Sequence, residues 1–153
     1  MYLYPDDGQN PGSRTIKAKT TDYAITFSGA SYIELKNINF FATTINVQNS
    51  TYLKITECNF YYPSVSRRML GSTELGSPNV TSFDSNSSNN IISKCLFENT
   101  EGEALRIFGN DNTIQNNYFH HIDWSASDLQ GLMVTIYISG NSNTFTENTI
   151  HTT

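Results

Sequence analysis

Charge is scarce in this sequence. Only 15% of its 153 residues are Asp, Glu, Lys or Arg, and the nine Lys and Arg form no run longer than Arg67-Arg68. With a formal net charge of -5, the chain carries no electrostatic footprint for nucleic acid or for an anionic membrane surface. Long apolar runs are missing as well: no stretch approaches the length that spans a bilayer, and the opening MYLYPDDG has neither the basic nor the hydrophobic region of a signal peptide. Phosphate loop, zinc-ligand spacing and nucleophile elbow are all absent. Two cysteines leave the redox compartment open. The low charge, set beside abundant Asn, Ser and Thr, argues against disorder driven by self-repulsion, and an aromatic share of 12% supports a packed fold. At 17.2 kDa one domain is expected, 1-153.

What the chain has in quantity is repetition. GNDNTIQNNYF, Gly109 to Phe119, is followed thirty-one residues later by GNSNTFTENTI, Gly140 to Ile150. Aligning Ile114, Asn117 and Phe119 with Phe145, Asn148 and Ile150 extends the frame backward to Ile92-Cys95-Phe97, Ile55-Cys58-Phe60 and Leu35-Ile38-Phe40. Successive copies are 20, 37, 22 and 31 residues apart, a period near 20 to 22 with two insertions, at 61-79 and 120-133. A second apolar pair precedes each copy: Ile25 and Phe27, Ile45 and Val47, Thr81 and Phe83, Leu105 and Ile107, Ile136 and Ile138. Apolar spacing of 2 with turn residues between the runs leaves no room for helices of ordinary length.

Strand, turn, strand, turn at this period is one coil of a parallel β-solenoid, here of about five coils. Equivalent residues then lie about 4.8 Å above one another and form ladders. Phe40, Phe60, Phe97 and Phe119 are expected as an internal stack continued by Ile150, with Asn117 and Asn148 bonded amide to amide at a bend. Cys58 and Cys95 share that phase and are read as two buried free thiols standing in for the ladder asparagine, because direct stacking is poor disulfide geometry.

The motif N-x-N-T-I-x-x-N-x-F, Asn110 to Phe119, resembles the right-handed parallel β-helix proteins related to pectate lyases, alginate lyases and several glycoside hydrolases, and the resemblance covers roughly residues 23 to 150. LYPDDGQNP, Leu3 to Pro11, with the later SYIELKNINFF, is similar to internal stretches of larger carbohydrate-active β-helix proteins. The resemblance implies an all-β right-handed parallel β-helix, a polysaccharide partner, an extracellular or periplasmic setting, and a chain that is part of a longer one. It does not select a chemistry, since this fold carries lyases, hydrolases, epimerases, adhesins and structural stalks.

Strand alternation places Thr26, Asn46, Ser82, Arg106 and Tyr137 in one outward row, flanked by Thr44, Val80, Ala104 and Thr135 on one side and by Gln48, Asp84, Phe108 and Ser139 on the other. A polar sheet face with one arginine and one tyrosine suits an extended sugar chain. Arg106, Tyr137, His120, His121 and Asp123 are the catalytic candidates; Asn46, Ser82, Asp84, Arg67, Arg68 and Trp124 are the candidates for substrate binding. Uronate elimination needs a cation for the carboxylate and a base for the α-proton, roles open to Arg106 and to Tyr137, His120 or His121. Hydrolysis needs two carboxylic acids, drawn from Asp84, Glu101, Glu103, Asp123 and Asp128. Against these stand plainer readings: an ion-paired surface arginine, a tyrosine that merely suits a strand, a histidine pair at a turn, and a tryptophan pinning its own loop. Ca2+ is common among lyase relatives, but the acids here lack the alternating spacing of a calcium loop, so no metal and no cofactor is assigned. The competing class is a non-catalytic glycan-binding, adhesin or structural module.

The last coil stops at NTIHTT, directly after a core position and with no amphipathic helix to cover it, whereas solenoids need polar caps. Missing coils or end-to-end association of copies is expected, and sedimentation of this chain as a monodisperse, soluble monomer would count against both.

Overall fold

The structure, a computed structural model, describes Gly12, Thr15 and residues 21–64, 80–122 and 136–151. Fifteen short strands wind through these residues in five coils. The first coil holds β1 (Tyr23–Ser28), β2 (Glu34–Lys36) and β3 (Asn39–Phe41); the second β4 (Thr44–Gln48), β5 (Lys54–Thr56) and β6 (Asn59–Tyr61). The third holds β7 (Thr81–Phe83), β8 (Ile91–Ser93) and β9 (Leu96–Thr100), and the fourth β10 (Leu105–Ile107), β11 (Thr113–Gln115) and β12 (Tyr118–Ile122). The fifth holds β13 (Ile136–Ile138), β14 (Thr144–Thr146) and β15 (Thr149–His151). Every third strand joins the same sheet, giving three 5-stranded sheets of order β1-β4-β7-β10-β13, β2-β5-β8-β11-β14 and β3-β6-β9-β12-β15. Every pairing within them is parallel. The expected all-β parallel solenoid is the fold.

Each corner carries a left-handed residue at a fixed phase, joined by Gly29 and by Asn49 at the first corner of the first two coils. In the first coil these are Tyr32, Asn37 and Ala42, with φ of 60°, 58° and 56°. The same phases recur as Tyr52, Asn89, Asp111 and Ser142; as Glu57, Lys94, Asn116 and Glu147; and as Tyr62, Asn99 and His121. Side chains other than glycine and asparagine are disfavoured there by about 1–2 kcal/mol per residue. The corner keeps the coil-to-coil ladder intact in return: Tyr32 N–H donates to the Thr51 carbonyl at 3.3 Å, Asn37 N–H to Thr56 at 3.1 Å and Ala42 N–H to Tyr61 at 2.9 Å. An unsatisfied buried backbone group costs a comparable amount or more, so the bend is the cheaper solution.

This corner also explains the apolar spacing of the repeat. A left-handed residue inserts one extra outward position, so inward side chains fall at Ile92, Cys95 and Phe97, three residues and then two apart, all buried. Phe40, Phe60, Phe97 and Phe119 stack with centroids 4.7, 4.7 and 5.0 Å apart and planes within 10°. Aromatic pairs left to themselves favour offset or edge-on arrangements, so the strand spacing sets this near-parallel column. In the last coil the inward rows continue with Phe145 and Ile150, which stay 42% and 47% exposed.

Two polar ladders line the corners on either side of the second sheet. Asn117 Nδ2 donates to Asn148 Oδ1 at 2.9 Å and to the Ile92 carbonyl at 3.0 Å, while its own Oδ1 accepts from Cys95 N–H at 2.9 Å. Cys58 and Cys95 continue this row as buried free thiols. The Cys95 thiol is pushed well above the ordinary thiol range, chiefly by its interaction with the Cys58 thiol and further by burial. A second ladder, not anticipated from sequence, runs through Asn90, Asn112 and Asn143: Asn90 Nδ2 donates to Asn112 Oδ1 at 3.0 Å, and Asn112 N–H to Asn143 Oδ1 at 2.8 Å. The glycines that open the two repeated motifs have a steric cause. A Cβ on Gly109 would stand 1.7 Å from the Ser87 carbonyl oxygen, and one on Gly140 would stand 1.8 Å from that of Gly109.

One expected row is corrected. Thr44, Val80 and Ala104, expected from alternation to flank the outward face, are all buried. A register shift between Tyr23 and Ile25 places Thr44 opposite Tyr23, and its hydroxyl is bonded to that of inward Thr81 at 2.5 Å. The strand ends therefore roll into the core there. Further, β12 runs through Ile122, so His120 and His121 belong to a paired strand and its bend.

Replacing Asn117 by Ala leaves Cys95 N–H and the Ile92 carbonyl without their partner inside the wall and should cost about 2–4 kcal/mol in urea unfolding. Gly109→Ala should cost about 3 kcal/mol or more, because backbone must move. Asn110→Ala, which loses only an exposed bond to Asn141 N–H, should cost less than about 1 kcal/mol. Equal losses for Asn117→Ala and Asn110→Ala would contradict the ladder.

Candidate functional site

The outward row of the first sheet is in register as the alternation requires. Thr26 pairs with Asn46, Asn46 with Ser82, Ser82 with Arg106 and Arg106 with Tyr137. Each of these side chains projects from a rigid strand, one rung above the next. Tyr137 is 42% and Phe108 37% exposed, with ring centroids 5.7 Å apart and planes at 56°, so they form a tilted aromatic ledge at one end of the row. Gln48 and Ser139, expected beside the row, are exposed.

The charges on this face are already engaged. Arg106 Nη2 forms an ion pair and hydrogen bond with Glu103 Oε2, both side chains being about four-fifths buried. Asp84 turns its carboxylate into its own loop: Oδ1 accepts from Ser87 Oγ at 2.6 Å and from Asn86 N–H at 3.2 Å, and both oxygens accept from Asn49 N–H, at 3.0 and 3.2 Å. Asp84 thus ties one coil to the next. Glu101 is buried, and its N–H donates to Ser64 Oγ at 3.0 Å.

Sequence reading missed Tyr23. Its phenol is raised above the usual 10.0 mainly by burial and then by Asp22, while the Arg106 charge pulls the other way. Asp22, Tyr23, Glu103 and Arg106 are accordingly one electrostatic neighbourhood. The signal available in the sequence was only that Tyr23 begins the first strand, since the register shift that seats it is not written in any local pattern.

A second cluster occupies the corner at the end of β12. His120 pairs in register with Glu98 on β9 and with His151 on β15. His120 Nδ1 lies 3.2 Å from Glu98 Oε1, the His120 and His121 rings stack with centroids 3.8 Å apart, and the His151 ring lies 5.2 Å from that of His120. Tyr118 flanks His120 at 5.6 Å. Among the described residues, the two histidines and the row of Arg106 lie on different sheets. Arg67, Arg68, Asp123, Trp124 and Asp128 lie outside the described residues.

A family model for the right handed beta helix region matches residues 13–153. The chain belongs to that family, and the three parallel sheets are its right-handed β-helix. Comparison with curated proteins and with solved structures returns no match. Carbohydrate-active and binding roles are both compatible with this family.

Because the folded-state pKa of Tyr23 is raised, its contribution to stability is complete below about pH 10 and is lost as pH rises through the folded value. Difference titration of wild type against Tyr23→Phe isolates this phenol among nine tyrosines. Arg106→Gln should move it further up and Asp22→Asn should move it down; the reverse order would break the neighbourhood.

Proposed function

We propose that this chain is a carbohydrate-active β-helix that holds an extended polysaccharide along the outer face of the β1-β4-β7-β10-β13 sheet. The observation that carries the reading is the continuous outward row from Thr26 through Asn46, Ser82 and Arg106 to Tyr137, ending in the Phe108 and Tyr137 ledge. The rungs are about 4.8 Å apart, close to the length of one sugar unit, so a glycan lying along the axis meets one polar side chain per unit. Hydroxyl and amide groups exchange hydrogen bonds with sugar hydroxyls, and an aromatic face stacks on the apolar face of a pyranose ring.

Chemistry at this row centres on Glu103 and Arg106. In elimination, a uronate carboxylate takes the place of Glu103 on the guanidinium, which stabilises the charge that develops when the α-proton leaves. The released Glu103 is then a base beside the reacting carbon. In hydrolysis, Glu103 is one of the two carboxylic acids required. Asp123 is the candidate for the remaining proton transfer, with Arg67, Arg68 and Trp124 as further sugar contacts.

The second reading, a glycan-binding module without catalysis, is favoured by a specific observation. Arg106 is neutralised by Glu103, and the Asp84 carboxylate is spent on a turn. Both readings share the same sheet face.

Assay against a panel of neutral and uronate polysaccharides separates them. Retention on a polymer with release of reducing ends indicates hydrolysis, and ultraviolet absorbance of an unsaturated product indicates elimination. Retention without either indicates the binding module. Tyr137→Ala should weaken retention by roughly tenfold, as loss of one stacked ring of about 1–2 kcal/mol implies. Arg106→Gln should abolish turnover on a uronate polymer. Absence of retention and of product across the panel, in a protein whose unfolding is cooperative, overturns the proposal.

A further inference from the structure

All three histidines of the chain stand at one corner of the solenoid, together with one carboxylate from the neighbouring coil. We propose that Glu98, His120 and His121 bind a divalent transition-metal ion of the Zn2+ type at this corner. Their ligand atoms already lie within 4.8 Å of one another. In a tetrahedral site with bonds of about 2.0–2.2 Å, donor atoms are roughly 3.3 Å apart, so rotation of side chains closes the set without moving backbone.

The backbone cause is the left-handed bend. In a regular strand His120 and His121 would point to opposite faces, one outward and one into the core. His121 has φ of 50°, and the inward role passes to Ile122, which is 1% exposed. Both imidazoles are therefore delivered to the outside, ring against ring. The same phase carries Ala42, Tyr62 and Asn99 in the earlier coils, so the bend belongs to the fold while the ligands belong to this coil. Glu98 arrives from β9 by parallel register and not by proximity in sequence. β12 is held on both sides, by β9 and by β15, which keeps the ligand set in place before any ion arrives.

The donor chemistry selects the metal. Two imidazoles and one carboxylate match Zn2+ or Co2+, whereas Ca2+ and Mg2+ require a shell of oxygens that this corner does not offer among the described residues. Three protein ligands leave a coordination position for water or for a ligand from solvent. The contact between His120 Nδ1 and Glu98 Oε1 is the one the ion replaces, and with Nδ1 as the ligand atom the neutral imidazole carries its proton on Nε2. His151, one coil away, falls outside the group whose atoms are mutually close.

Co2+ titration of the whole chain, followed by its visible absorption, tests the assignment, with Zn2+ competing the signal away. Wild type should take up one equivalent. His121→Asn, which keeps a residue that tolerates the left-handed bend, and Glu98→Gln should each weaken binding by roughly tenfold or more. His151→Ala should bind as wild type does. Zn2+ should raise the urea midpoint of wild type and leave that of His121→Asn unchanged, with the metal-free midpoints of the two alike. Failure of wild type to bind Co2+, unchanged affinity in His121→Asn, or loss confined to His151→Ala overturns the proposal.

Discussion

The structure depends on one constraint: the backbone ladder between coils must continue around every corner. Strands of three to six residues are too short to stand alone, and each is stable only because its N–H and C=O groups meet those of the coils above and below. A left-handed residue at each corner lets the chain change direction while its N–H still reaches the next coil, as at Glu57 to Ser93 and Tyr62 to Glu98. Residues as poorly suited to that conformation as Tyr, Lys and Glu occupy these corners because the alternative is an unpaired backbone group along the whole length of the solenoid.

Side-chain identity follows from this ladder. A residue that works in one coil meets its own equivalent about 4.8 Å away, so phenylalanine stacks on phenylalanine and amide bonds to amide. Gly109 and Gly140 recur for the same reason, since the carbonyl of the adjacent coil fills the space a Cβ needs. The strands that follow the two insertions are in phase with those before them: β7 pairs with β4, and β13 with β10.

Both candidate sites lie on the outside of this frame, where the ladder sets position but does not dictate chemistry. The row through Arg106 runs along one sheet and the imidazole corner along another, so the two lie on different faces of the solenoid. Each takes its geometry from register and its chemistry from residues peculiar to one or two coils. Glu103 beside Arg106 and Glu98 beside His120 show the same device, a carboxylate held against a side-chain nitrogen.

From the sequence alone the period, the five coils, the phenylalanine column, the asparagine and cysteine row and the outward row from Thr26 to Tyr137 could be read, because each depends only on alternation and on like residues recurring in phase. What tertiary structure decided were contacts with no period of their own. The register shift that buries Thr44 and seats Tyr23, the capture of Arg106 by Glu103, and the turn closed by Asp84 arise from local departures from the ladder. The meeting of Glu98 with His120 and His121 needed both the pairing of coils twenty-two residues apart and a left-handed φ at His121. A repeating pattern specifies what every coil must share, and only folding brings together what a single coil does differently.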